Sequence, residues 1–169
     1  MKLAGAVLIL TASFLIGQTL LMEKKRGLSG LRTLAAALSQ LRGELSTYEV
    51  TLSKGFNKAA GLSEGMGREL MHTVAERLDD LGDRTFAEIW SGALGDCCAG
   101  MEEAVLSQMQ GLGNVLGKFD LSLQLQALDN CIAFLQERLK KEKDDYPLQR
   151  KLLLSTLLTL GSFLVIIIY

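Results

Sequence analysis

Apolar positions along the chain follow two regimes. Leu3 to Met22, LAGAVLILTASFLIGQTLLM, is a run of 20 residues without a charge. At about 1.5 Å rise per residue it reaches about 30 Å, the thickness of a bilayer's hydrocarbon core. Leu152 to Tyr169, LLLSTLLTLGSFLVIIIY, is a second such run of 18 residues. It reaches about 27 Å and ends in a tyrosine, a residue enriched at the membrane interface. Between the two runs, apolar residues recur singly at helical spacing.

The first run reads as an uncleaved span. A signal peptide needs a basic start, a shorter apolar core and a small-x-small cleavage site. Only Lys2 precedes the run, and GQTLLM before Glu23 offers no such site. Gln18 within it either meets a partner helix or sits hydrated near the headgroups.

In the middle, Leu31, Leu34, Leu38, Leu41, Leu45 and Tyr48 are spaced alternately by three and four. That is a heptad seam, and Arg32, Gln40, Arg42 and Glu44 lie off it. A helix that continues straight from the first span has to pass Gly27 and Gly30. A second seam runs Leu125, Leu128, Ile132, Leu135, Leu139, with Asp120 as its plausible N-cap. Pro147 predicts a kink or break before the second span, because proline lacks an amide donor and crowds the preceding turn. The seams suggest an antiparallel pair, or two helices that each pack on shorter helices between them; one bundle can hold both arrangements.

The shorter helices are predicted at Ser53 to Ala60, at Glu69 to Leu81 with Leu70, Val74 and Leu78 on one face, and at Met101 to Met109. Gly82 is expected to stop the second of these. Thr85-Phe86-Ala87-Glu88 has the form of a capping box opening a helix through Ile89, Trp90 and Leu94. The glycine-rich stretch Gly61 to Gly67 reads as a loop. Leu112-Gly113 and Leu116-Gly117 bound a short turn where backbones can approach closely. No segment alternates with the period of two that marks a strand.

Charge orients the spans. Lys24, Lys25 and Arg26 follow the first; Arg138, Lys140, Lys141, Lys143, Arg150 and Lys151 precede the second; only Lys2 lies outside. The positive-inside rule then places the middle in the cytoplasm and both termini outside. The expected fold is all-α: a cytoplasmic helical bundle, residues 23–151, flanked by transmembrane helices at 3–22 and 152–169. The formal net charge of −1 and the absence of a basic block exclude nucleic acid as the main ligand.

Little in the sequence points to chemistry. Cys97 and Cys98 are adjacent and Cys131 stands apart. That spacing suits no zinc knuckle, so the three read as small buried residues in a reducing compartment. His72 is the only histidine and has no ligand pattern around it. Glu102-Glu103 and Asp79-Asp80 diverge by about 100° on a helix and cannot face one substrate together. Asp144 and Asp145 lie in a mixed-charge stretch that reads as a solvated face. No phosphate-binding glycine loop or nucleophile elbow is present. No enzyme activity, cofactor or metal is expected.

The order of parts and several motifs resemble the stage III sporulation protein AB family of spore-forming bacteria. The likeness covers nearly the whole chain. It is carried by LRTLAAALSQLRGEL (Leu31 to Leu45), GFNKAA, FAEIWSGAL (Phe86 to Leu94) and most specifically LGNVLGKFDLSLQLQALD, where Leu112-Gly113, Leu116-Gly117, Asp120 and Gln124 match the family's LG-LG-D-Q pattern. The resemblance implies a likeness to the cytoplasmic domain of the inner-membrane platform proteins of type II secretion and type IV pilus machines. It implies a subunit of a channel complex in the mother-cell membrane around the forespore. That subunit would dock a secretion-type ATPase, the stage III sporulation protein AA, beside other membrane subunits, support late forespore gene expression, and itself hydrolyse nothing. Gly113, Gly117, Asp120 and Gln124 are the candidate docking residues. The competing reading is that Asp120 caps a helix and the glycines let helices pack. The rival function is a two-span signalling protein whose bundle binds a cytosolic regulator.

Overall fold

In a computed structural model, the described residues are 2–48, 51–80 and 82–168; side chains are described at 22, 25–47, 51–79, 82–144, 155, 156 and 159. Among them there are helices and no strands: α1 (Lys2–Tyr48), α2 (Leu52–Leu62), α3 (Gly65–Arg77) with a 3-10 turn at Leu78–Asp80, α4 (Phe86–Cys97), α5 (Glu103–Gly113) and α6 (Leu121–Ile168). The chain forms two compact units, one of residues 1–28 with 140–169 and one of residues 29–139. The second lies inside the 23–151 domain expected from sequence.

The first unit consists of the start of α1 and the end of α6. Among the described residues no helix is long and apolar enough to cross a membrane. The two apolar runs, 3–22 and 152–169, fall almost entirely outside the described side chains. In the backbone the reading of a helix that passes Gly27 and Gly30 holds, and the break expected at Pro147 is corrected. Neither Gly27 nor Gly30 breaks α1, and Pro147 does not end α6. A proline deletes one amide donor from the ladder, which is too little to terminate a helix of 48 residues.

The second unit is a bundle organised by the two seams. Leu31, Leu34, Leu38, Leu41 and Leu45 are all buried, as are Ala35 and Ala37; Tyr48 lies outside the described side chains. The buried stripe on α1 is therefore wider than a two-stranded seam, as a helix with several neighbours requires. On α6, Leu128, Cys131, Ile132 and Leu135 are buried, and Leu125 and Leu139 pack against the core half-exposed.

Arg42 joins α1 to α6 through two parallel bonds to Asp129, Nε–Oδ1 at 2.7 Å and Nη2–Oδ2 at 3.0 Å. At one end of the bundle a Cβ on Gly30 would touch Met66 and Met101, and Arg138 pairs with Glu102. At the other end Leu45 meets Gly55, and Leu52 meets Gly117. The bundle segments of α1 and α6 thus run antiparallel, with the shorter helices also packed on them.

The core centre is aromatic. Phe56 from α2 and Phe86 and Trp90 from α4 lie with ring centroids 5.9, 6.0 and 6.1 Å apart. Trp90 Nε1 donates to the carbonyl of Met109 on α5 at 2.6 Å. The capping box forms as expected: the Glu88 amide donates to Thr85 Oγ1, and the Thr85 amide donates to the Glu88 carboxylate. The Thr85 amide and then the Thr85 hydroxyl, both donating to that carboxylate, hold it below its ordinary pKa. Gly82, at φ +130°, follows the 3-10 turn and ends it.

The glycine-rich stretch departs from expectation. α2 runs three turns through Gly61, and α3 begins at Gly65 rather than near Glu69. Gly67 is buried inside α3, its Cα against the Thr33 backbone of α1. Helix propensity disfavours glycine by about 1 kcal/mol, and close contact between two helix backbones overrides it. Cys98 and Cys131 are buried free thiols, and burial pushes their pKa up to about 12 and about 11. They stay protonated and pack as apolar residues, as expected.

Candidate functional site

The four candidate residues belong to the connection between α5 and α6. After Gly113 the chain turns back on itself through Val115 N–H to Leu112 O, Leu116 N–H to Leu112 O and Lys118 N–H to Val115 O, at 3.0, 3.1 and 3.3 Å. Leu116 is fully buried and anchors the turn in the core. Gly117 follows at φ +78°, a left-handed conformation that costs an L-residue roughly 1–2 kcal/mol. Its Cα faces Leu52 of α2 and Phe86 of α4.

Gln124, one turn into α6, closes the connection. Its Oε1 accepts the Gly117 N–H at 3.2 Å, and its Nε2 donates to the Phe119 carbonyl at 2.6 Å. Asp120 stands before the first residue of α6. Its carbonyl accepts the Gln124 N–H at 3.2 Å. Its carboxylate accepts the Ser122 hydroxyl, and that bond first, with the nearby backbone N–H groups at the start of α6, holds its pKa below the ordinary range. The position just before α6 and the carbonyl bond to Gln124 are those of an N-cap residue.

Gly117, Asp120 and Gln124 are therefore one hydrogen-bonded network. Gly113 is not part of that surface. It is buried, and a Cβ there would collide with the Trp90 ring, 2.9 Å from Cγ. Its role in the fold is to let α5 reach α4.

The side chains that this network leaves facing solvent were not singled out by the seam. Five large hydrophobics are exposed among the described residues, and three of them, Phe119, Leu121 and Leu123, lie within five positions at this turn. A signal was present in the sequence. Leu121, Leu123 and Leu125 alternate on a helix, and at about 100° per residue they cannot all face one core.

Replacing Gln124 with alanine removes two bonds that nothing else in the turn supplies. We expect a stability loss of about 1 kcal/mol. Amide exchange at Gly117 should be accelerated well beyond that of α4. Unchanged exchange at Gly117 would mean that Leu116 alone holds the turn.

A family model described as Stage III sporulation protein AB matches residues 2–169. Nothing matches among curated proteins or among solved structures.

Proposed function

The chain belongs to the stage III sporulation protein AB family and so serves in sporulation, and from that premise we propose that it is a membrane-anchored platform that docks a secretion-type ATPase. In this reading the runs 3–22 and 152–169 cross the mother-cell membrane around the forespore, with both termini outside and the bundle in the cytoplasm. The ATPase is the stage III sporulation protein AA, and other membrane subunits of the channel complex share the bilayer. The chain itself performs no catalysis. It supports late forespore gene expression by holding the motor at the channel.

The observation that carries the docking step is the exposed trio Phe119, Leu121 and Leu123. It lies beyond the end of the bundle where Leu52 meets Gly117, away from Gly30 and Arg138. The bundle's own ends at Ser29 and Leu139 lie beside Gly30 and Arg138, not beside the trio. The Gln124 and Asp120 bonds hold the turn in one conformation. A preordered aromatic anchor loses little entropy on binding, which is the usual make-up of an interface hot spot.

The test uses the full chain in lipid nanodiscs and the secretion-type ATPase of the same organism, with nucleotide. Saturable binding is expected. Phe119→Ser together with Leu123→Ser should weaken it at least tenfold without lowering the melting temperature, since both side chains are solvent-exposed. A folded chain that fails to bind removes the docking mechanism. Binding that survives both substitutions moves the interface elsewhere.

A further inference from the structure

Charge is segregated along this molecule. The bundle, residues 29–139, contains nine basic and fifteen acidic residues. The stretches 23–28 and 140–151, both in the other compact unit, contain eight basic and four acidic residues. Each stretch lies in the sequence between the bundle and one apolar run.

Four of the bundle's nine basic side chains form ion pairs. In the bundle Arg42, Lys58, Arg77 and Arg138 are engaged with Asp129, Glu44, Asp96 and Glu102. In the other unit Lys25, Arg26, Lys140, Lys141 and Lys143 are exposed and form no ion pair among the described residues. Glu142 and Asp144, interleaved with the lysines, are exposed too, and Lys140 and Asp144 do not meet despite their i,i+4 spacing.

We propose that this cationic collar binds the phosphates of anionic phospholipids and gathers them around the protein. The proposal rests on the membrane-anchored reading above and adds a lipid preference to it. Lys25 and Arg26 follow the first apolar run within four residues, and long basic side chains placed there reach the headgroup layer with their stems along the acyl boundary. There each is attracted to anionic lipid and not to zwitterionic lipid. The bundle, with its acidic excess, is repelled by an anionic surface. The collar offsets that repulsion within about 10 Å of the membrane, beyond which salt screens it.

The experiment reconstitutes the full chain in nanodiscs of mixed phosphatidylcholine and phosphatidylglycerol and measures which lipid is enriched at the protein. Severalfold enrichment of phosphatidylglycerol is expected, falling as salt is raised. Lys25→Gln and Arg26→Gln together should cut it by at least half. Equal occupancy by the two lipids, or enrichment unchanged in the double variant, overturns the proposal. So does displacement by millimolar inorganic phosphate, which would make the site one for a soluble anion. Release of the chain from membranes by alkaline carbonate is a distinct result: it overturns the membrane anchor itself, and this proposal with it.

Discussion

Replacing Trp90 with alanine is expected to lower the stability of the bundle by about 4 kcal/mol. The ring is fully buried and joins three helices. It belongs to α4, lies 6.0 Å from Phe56 of α2, and donates from Nε1 to Met109 of α5. Truncation loses the transfer free energy of the largest side chain in the core and leaves a cavity. Gly113 cannot fill that cavity because it has no side chain to move. Trp90→Phe is expected to cost about half as much, since an aromatic ring still faces Phe56 and Phe86 while the hydrogen bond and part of the volume are lost. The readout is helical circular dichroism on heating, because Trp90 is the only tryptophan and its fluorescence disappears with it. At roughly 2–4 °C per kcal/mol for a chain of this size, the alanine variant should melt about 8–16 °C lower. A loss under 1 kcal/mol would show that the core is not organised around this residue.

Gly67→Ala is the second large effect, and its sign runs against helix propensity. Alanine stabilises an open helical site by up to about 1 kcal/mol relative to glycine. At Gly67 the added Cβ would strike the Thr33 carbonyl oxygen and lie 2.7 Å from the Thr33 carbonyl carbon and 2.8 Å from the Ala37 Cβ. Two of these three atoms are backbone of α1, so no rotamer change relieves the clash and the helices must part. The expected loss is about 3 kcal/mol, at the upper end of the usual cost of overpacking. Gly43→Ala is the matched control. Gly43 is also helical, with nothing within 4 Å of the added Cβ, and its substitution should be neutral or stabilising. If both variants melt together, the α1–α3 contact is looser than the geometry of Gly67 requires.

These two residues mark where sequence reasoning reached its limit. Trp90 was placed correctly on a helix opened by the Thr85–Glu88 capping box. Its partners were not legible, because Phe56 and Met109 are far from it in sequence and no periodicity names them. Gly67 reads locally as a loop residue, since a short stretch of glycines is the mark of one. Gly113 and Gly117 were read alike, as glycines of one tight turn. The fold separates them: Gly117 answers a local need, a positive φ, and Gly113 answers a distant one, room for the Trp90 ring. Asp120 reads as a cap, and it stands in the cap position with its carbonyl accepting the Gln124 amide. The bonds of Gln124 depend on the path of the preceding turn and were not foreseeable.

By itself the sequence determined what interactions within a few residues determine. It specified the all-helical class, the two seams that become the buried faces of α1 and α6, the capping box, the stop at Gly82 and the cap at Asp120. Each follows from helical periodicity or from hydrogen bonds spanning four residues or fewer. Only the tertiary structure decided that Gly61 and Gly67 are helical, that α5 continues to Gly113, that α1 and α6 are tied by Arg42 and Asp129, and that Phe119, Leu121 and Leu123 remain in water. Those outcomes depend on which backbone or side chain arrives from elsewhere in the chain. Packing free energies of several kcal/mol then outweigh local preferences of about one.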